Sequence, residues 1–354
     1  MLVGGGGSVS AAGRASVVVT NRDYGRFVAE AVRSALAQGD VEVVVVDDGS
    51  VDDSLDVLAA FADEIVVVRG AGEGQAAAMN HGFERSTGDP VVFLDADDRL
   101  SPGAVERAAA VLNDPDVARV HAPLRRVDVH GDPIGGTVPA VLSALPHGDL
   151  RRAVLRHPDD LAWQPTSGNV YARSALERIF PLPVAEYRIS ADHLLNALTA
   201  VIGRVERLDV PGGDYRIHGA NADARTGFDL DRVQGIVGRS AATHRHLAAF
   251  AGSLGPATAR STVGPSVSFA ANRLVSLKLR PRTHPLEGDS RRAAWWDGLR
   301  AAAGRGDLSP ARRLAAAGFV SAIAVAPRRV VPGLAGRILT GNTDPVPSST
   351  SSRR

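Results

Sequence analysis

Cysteine is absent from this 354-residue chain, and lysine occurs once, at Lys278. The first absence excludes disulfides, thiolate metal centres and thiol nucleophiles, so any chemistry falls to carboxylates, histidines and hydroxyls. The second, beside abundant arginine and alanine, reads as GC-rich codon usage, which lowers the meaning of any single arginine. No run reaches the ~18 uncharged apolar residues of a spanning helix. The opening, residues 1–15, is Gly/Ser-rich and lacks the basic-then-apolar order of a signal peptide. A dominant charge is missing too. A net charge of +1, with 22% charged and 44% hydrophobic residues, excludes a disordered or nucleic-acid-coating polypeptide and allows a sizeable core. These absences together predict an enzyme-sized cytoplasmic protein with no nucleic-acid partner.

What is present first is alternation. Residues 16–20 form a short β-branched run, 26–37 carry helical spacing through Phe27, Ala31, Ser34 and Ala35, and 41–46 form an apolar run. Further helices are predicted at 50–61 and 75–83 and further strands at 64–69 and 90–94. Ser101-Pro102 predicts the cap of a helix running to about residue 113. Strands alternating with helices imply an α/β fold with a parallel sheet and ligands beyond the carboxyl ends of its strands. After residue 117 shorter strands are predicted at 121–129, 168–171, 205–210 and 214–217, with a turn at 131–136, extending the sheet in mixed orientation. From residue 228 the chain reads as successive helices, broken near 255–256, 281–288 and 327.

Acids cluster at two predicted strand ends. Asp47-Asp48 closes the second strand, and Asp95-Ala96-Asp97-Asp98 closes the fourth. Taken alone, Asp48 and Asp52 could cap the following helix, and Asp97-Asp98 could open a turn. Together they place like charges at one sheet edge, which is unfavourable without a compensating cation or ligand. An all-oxygen set suits a hard ion such as Mg²⁺ or Mn²⁺.

Four strings occur in order: Thr20-Asn21-Arg22-Asp23-Tyr24, Val46-Asp47-Asp48-Gly49-Ser50-Val51-Asp52, Gly74-Gln75-Ala76-Ala77-Ala78-Met79-Asn80-His81-Gly82 and Phe93-Leu94-Asp95-Ala96-Asp97-Asp98. In order and spacing they resemble the signature of the family 2 glycosyltransferases, and the resemblance extends to about residue 222. It implies a GT-A fold, a Rossmann-like, mostly parallel sheet flanked by helices, here with a helical C-terminal extension. The implied organisation is a disordered segment at 1–15, the GT-A domain at 16–225, a helical region at 226–342 and a disordered tail at 343–354. Asp23 departs from the asparagine usual in relatives.

The resemblance also implies roles. Asp48 would accept a hydrogen bond from the donor's base, and Thr20, Asn21 and Tyr24 would line the base and ribose pocket. Gly74 would let backbone approach the nucleotide, and Gln75 and Asn80 would bond ribose, phosphate or sugar. Asp95 and Asp97 match the D-x-D pair, one meeting ribose or sugar and the other a divalent cation, Mn²⁺ or Mg²⁺, that stabilises the leaving diphosphate. Asp192, in Ile189-Ser190-Ala191-Asp192, would be the general base of an inverting transfer, with Ala191 replacing a usual acid. Its structural alternative is a helix cap. In Tyr215-Arg216-Ile217-His218, Arg216 would offset phosphate charge and His218 would reach the metal or a phosphate. Pro165-Thr166-Ser167-Gly168-Asn169 resembles the loop bordering donor sugar and acceptor, and Trp163 is a candidate for stacking on a sugar or for the core.

The predicted activity is therefore metal-dependent transfer of a sugar from a nucleoside-diphosphate sugar, UDP or dTDP preferred, to a glycan, lipid-linked or small-molecule acceptor. Polysaccharide, glycolipid or other glycoconjugate synthesis is the expected setting. Other classes fit the sequence less well. Gly70-Ala71-Gly72-Glu73-Gly74 has the wrong spacing for a dinucleotide fingerprint, and an Asp-dependent phosphotransferase fits poorly with one lysine. An inactive nucleotide-sugar-binding scaffold is the remaining alternative. Residues 280–354 carry a charge of +8 against −7 for the rest, and 314–327 hold no charge between Arg312-Arg313 and Arg328-Arg329. That stretch is too short to span a bilayer, but it is a candidate for peripheral membrane contact at the inner face or for a homo-oligomer surface.

Overall fold

The computed structural model describes residues 14–140, 145–219, 228–255 and 263–339. The segments predicted to be disordered, up to residue 13 and from 343, lie outside the described residues; Ala15, predicted with the first of them, already opens a strand. In chain order the strands are β1 (Ala15–Asn21), β2 (Val41–Asp47), β3 (Val66–Arg69), β4 (Val91–Asp95), β5 (Arg99–Leu100), β6 (Val117–His121), β7 (Leu124–Val127), β8 (Pro133–Val138), β9 (Asn169–Tyr171), β10 (Arg204–Arg207) and β11 (Gly213–Arg216). The helices of this half are α1 (Gly25–Leu36), α2 (Ser54–Ala59), α3 (Gln75–Arg85), α4 (Ala104–Leu112), α5 (Arg151–Arg156), α6 (Arg173–Leu176) and α7 (Ala191–Ile202).

Seven strands make the main sheet in the order β10-β6-β9-β4-β1-β2-β3. β9 runs antiparallel to both β4 and β6; every other neighbouring pair is parallel. The valine runs of β1 and β2 are buried on both faces, because helices cover both sides. One face packs α1 through Val28, Ala31, Val32 and Ala35. The other packs α3 and the almost wholly buried α7, whose Leu194, Leu195, Leu198 and Val201 each contribute roughly 1.5–3 kcal/mol by leaving water. Gly82 lets α3 lie close, since a Cβ there would fall 2.1 Å from Val18 Cγ1. β1 neighbours both β2 and β4, so the chain reverses its direction of growth across the sheet there. The crevice of such folds opens at the carboxyl ends of those strands.

Five expectations need correction. The predicted helix 50–61 shrinks to α2, because side chains hold the backbone before it: Ser50 N donates to Asp47 at 3.0 Å, Val51 N to Asp23 at 2.7 Å and Ser54 N to Asp52 at 3.0 Å. Ser101-Pro102 does not cap α4; Gly103, left-handed at φ 68°, intervenes. The single strand predicted at 121–129 is split at Pro123, which has no N–H to donate, into β6 and β7. The turn predicted at 131–136 largely pairs with β7 as β8. β7, β8 and β11 therefore do not extend the main sheet. They join β5 in a second sheet, ordered β5-β11-β7-β8.

The C-terminal helices are α8 (Leu230–Ser253), α9 (Val267–Leu279), α10 (Arg291–Gly304), α11 (Pro310–Val325) and α12 (Val331–Leu339). Their starts carry local signals: Asp229 accepts from Asp231 N and Arg232 N, and Ser290 and Ser309 accept from the amides of Ala293 and Arg312. Val233 of α8 belongs to the cluster formed with α9, α11 and α12, whereas Ala242, Leu247 and Ala251 of the same helix belong to the sheet's core. One long helix thus joins the two halves.

Candidate active site

The parallel register sets the floor of the crevice. It pairs Asn21 with Asp47 and Thr20 with Asp95, so the last residues of β1, β2 and β4 end side by side. A cleft of about 410 Å³ opens above them, lined by Thr20, Asn21, Tyr24, Asp48, Gly74, Gln75, Asp95, Asp97 and Asp192 among others. Nine of the twelve residues predicted for the site therefore reach one cavity.

Asp47 and Asp48 divide their work. Asp47 receives Asn21 Nδ2 at 2.8 Å and Ser50 Oγ at 2.6 Å and fixes the turn after β2. Asp48, buried, accepts from Gly72 N and Glu73 N at 3.0 Å each and from Gly74 N at 2.6 Å, with Arg22 Nη1 at 3.9 Å. Its carboxylate thus closes the Gly72–Gly74 loop from within, and the base-reading role predicted for it shares those oxygens with three backbone amides. Asn21 Oδ1 is buried at the cleft and has no hydrogen-bond partner among the described residues.

Gly74 (φ 103°) and Gln75 bind the cleft's walls together. A Cβ at Gly74 would lie 2.5 Å from Arg188 O, so this glycine is required by protein backbone and not only by an approaching ligand. Gln75 donates to Thr166 Oγ1 at 3.1 Å and accepts from Ala191 N at 2.8 Å, tying the loop before β9 to the start of α7. Ala191 is fully buried in the main core, where a carboxylate would be desolvated. Asp192 lies in the first turn of α7, and the N-cap position is Ser190, left-handed at φ 59°. The capping alternative for Asp192 is therefore set aside.

At the end of β4 the acids crowd. Asp95 accepts from Thr20 Oγ1 at 3.2 Å, and burial, then the charges of Asp97 and Asp192, push its carboxyl up to about 7. Asp98 is also raised, by burial and then by Asp97 and Asp95, and is held by Ser167 Oγ at 2.6 Å and Arg216 N at 3.0 Å. Tyr24 is pushed up to about 12 by burial and the same acids, and its ring meets His218 edge-on at 5.5 Å. His218 Nε2 lies 2.9 Å from Asp97 Oδ2, both side chains buried. No group of three or more His, Asp or Glu side chains with metal-binding geometry occurs among the described residues. The three-ligand set Asp95, Asp97 and His218 is thus not assembled, but the Asp97–His218 pair with Asp95 beside it presents oxygen and imidazole donors of the kind Mn²⁺ accepts.

Two predicted contacts are corrected. Asn80 both donates to and accepts from the backbone of Leu182, at 2.9 and 2.7 Å, and does not line the cleft. An amide on that face of α3 serves the packing of the chain before α7. Arg216 is 1% exposed and lies behind the acids: it donates to Asp97 O at 2.8 Å and Val129 O at 3.1 Å, pairs with Glu30 at 2.7 Å and stacks on Phe27. It fixes the D-x-D loop from inside and does not reach the cavity wall. Trp163 packs on the core with Arg119 over its ring at 5.1 Å, outside the cleft lining, which favours the core over sugar stacking.

Sequence reasoning missed three arginines. Arg22 and Arg188 line the cleft and both donate to Gly72 O, at 3.2 and 2.7 Å. Arg119, fully buried on β6, donates to Asn169 Oδ1 at 3.0 Å and to Asn196 Oδ1; burial lowers its guanidinium to about 10 and Asp192 is among the charges that oppose this. The adjacency of Arg22 and Arg188 to the motif strings was the available signal, masked by arginine abundance. Nothing in the local sequence marks Arg119.

Residues 16–180 match the family described as Glycosyl transferase family 2. An uncharacterized glycosyltransferase of Nostoc sp. is 37% identical over 217 residues, which are 58% of this chain and 65% of that protein, so the chain spans less than two thirds of that relative's length. TarS 1-349 of S. aureus has the same fold, with TM-score 0.55 and 16% identity over 93% of this chain and 92% of that one. The mannosyltransferase PcManGT of Pyrobaculum calidifontis, solved with GDP-Man and Mn²⁺, gives TM-score 0.52 and 20% identity over 94% of this chain and 87% of that one. The strand-end acids thus lie within the segment 16–180 that matches family 2 glycosyl transferases, and the chain has the α/β, GT-A-like fold that it shares with TarS.

Proposed function

We propose that the protein transfers a hexosyl group, with inversion, from a nucleoside-diphosphate sugar to an acceptor hydroxyl in glycoconjugate synthesis. The carrying observation is the arrangement of carboxylates: Asp95 and Asp97 at the end of β4 and Asp192 at the start of α7 border one cleft that Asn21 and Asp48 also line. TarS, which has also been solved with UDP-GlcNAc, and PcManGT with GDP-Man support a nucleotide-sugar donor. UDP and dTDP present a pyrimidine N–H, and the unpartnered Asn21 Oδ1 is an acceptor for such a donor.

On this reading Asn21, Tyr24 and Asp48 hold the nucleoside, and Thr20 orients Asp95 toward the ribose or sugar. Asp97 and His218 would hold a Mn²⁺ or Mg²⁺ ion, which when bound supplies charge stabilisation for the departing diphosphate. Arg216 holds the backbone of Asp97 in place. Asp192, at the start of α7, takes the proton of the attacking acceptor hydroxyl, the one acid-base role an inverting displacement requires.

The test is sugar release and transfer from UDP-, dTDP- and GDP-linked hexoses with Mn²⁺, before and after chelation, for wild type and Asp97→Ala. Turnover lost on chelation and in the variant is expected. Activity untouched by both would refute metal dependence, and donor binding without hydrolysis or transfer under any condition would leave a nucleotide-sugar scaffold.

A further inference from the structure

The helix α11 presents an unusual outer surface. Its inner side chains, Val320 and Ile323, are buried against α9 and α12. Opposite them at helical spacing lie Ala311, Leu314, Ala315, Gly318, Ala322 and Val325. Leu314 is 75% exposed, Val325 is 82% exposed, and a Cβ at Gly318 would meet no atom within 4 Å, so this side faces open space. A surface helix ordinarily turns charge outward. Here no charge occurs from Leu314 to Pro327, and Val330, 45% exposed, continues the apolar surface past the helix end.

Cations stand at both ends of that surface. Arg312 lies in the first turn of α11, and Arg328 and Arg329 follow its last; all three are exposed. Other arginines of this region are paired with acids, as in Arg280–Asp231, Arg300–Asp297 and Arg305–Asp160. No described residue pairs with Arg312, Arg328 or Arg329 through a carboxylate. At ~1.5 Å per residue the sixteen-residue helix is ~24 Å long, short of a spanning segment but suited to lying in an interface plane.

We propose that the outer face of α11 docks on an anionic membrane surface, Leu314, Val325 and Val330 entering the acyl boundary while Arg312, Arg328 and Arg329 meet lipid phosphates. The charge selects this occupant. A second copy would bring the same three cations against the face, whereas an anionic headgroup layer neutralises them. This inference does not depend on the proposed reaction.

The experiment is sedimentation of the full chain with vesicles of phosphatidylcholine alone and of phosphatidylcholine mixed with phosphatidylglycerol. The protein is expected to pellet with the mixed vesicles, to stay in solution with the neutral ones, and to be released as salt shortens electrostatic range. Combined Leu314→Glu and Val325→Glu should abolish pelleting. Combined Arg312→Ala, Arg328→Ala and Arg329→Ala should lower the partition coefficient by up to about 100-fold. Both sets alter exposed side chains, so unfolding temperatures should match the wild type. Equal pelleting of wild type and both variants, or no pelleting with anionic vesicles, would overturn the proposal. A dimer abolished by Leu314→Glu with Val325→Glu, in protein that ignores vesicles, would assign the face to a second copy instead.

Discussion

In the C-terminal helices, Arg273 is closed on every side: Asp289 takes its Nε and Nη2 at 2.8 and 2.6 Å, Asp297 takes Nη1 at 2.8 Å, and His284 completes the group at 3.1 Å from Asp289. Lys278, the single lysine, donates to the carbonyls of Ile323, Ala324 and Ala326 at 2.8, 2.8 and 2.5 Å and so ends α11. At the end of the main sheet Asp95, Asp97, Asp98 and Asp192 instead lie together, and the carboxyls of Asp95 and Asp98 are raised by burial first and by their acidic neighbours second. The interior of the helical half gives its buried cations acceptors. The cleft leaves negative charge concentrated where a cationic or hydrogen-bonding ligand can discharge it, which is the signature of a binding site over a structural network.

Substitutions can break this contrast, the largest effect coming first. Asp192→Asn is expected to leave donor binding nearly intact and to reduce turnover at saturating substrates by ~10²- to 10⁴-fold. Unchanged turnover would remove Asp192 as the base. In the other half, Arg273→Met leaves the buried Asp289 without its arginine and Asp297 with Arg300 alone, and should cost about 3–5 kcal/mol in urea unfolding, with little change in kcat per folded molecule.

The third prediction sharpens the comparison through pH. Asp95 titrates near 7 when folded and near ~3.9 unfolded, so the native state holds the extra proton between those values. Stability from this group is present at low pH and is lost as pH rises from about 4 to about 7, by up to about 1.4 kcal/mol per unit. His121 and His193, whose pKa values are lowered by burial, act in the opposite direction, so the readout is a difference. In chelator, Asp95→Asn should melt close to wild type at acid pH and progressively above it toward neutrality. A constant gap across that range would refute the titration. Last, Lys278→Met should cost ~1–3 kcal/mol by leaving carbonyls at the end of α11 without a donor, read by thermal unfolding. Wild-type stability would show that water replaces the ammonium at no cost.

The first half of the fold was legible because its signals are local. Valine runs and helical spacing place β1, α1, β2, α3 and β4 within a few residues of their observed bounds. The site was legible for the same reason: strand ends in a parallel sheet converge, so a list of acids following apolar runs already names the cleft. Asn80 and Arg216 were misread because a motif gives a residue's position along the chain and not the partner its side chain meets. Each lies close to the cleft in sequence, yet one is taken by the backbone at Leu182 and the other by Asp97 O, Val129 O and Glu30. The segment 121–138 was misread because Pro123 and the pairing of β7 with β8 and β11 are settled by non-local hydrogen bonds.

The sequence by itself determined the α/β class, the acid-bearing strand ends, the reliance on oxygen and imidazole donors in a chain without cysteine, and the uncharged stretch between paired arginines. Periodicity, composition and spacing are properties of neighbouring residues, and neighbours suffice for these. Only the tertiary structure decided that His218 meets Asp97, that Arg22 and Arg188 share Gly72 O, that Arg119 lies buried against Asn169 and Asn196, and that α11 turns Leu314 and Val325 outward. Those facts depend on which distant segments pack together, and packing is set by the free energy of the whole chain, which no local pattern contains.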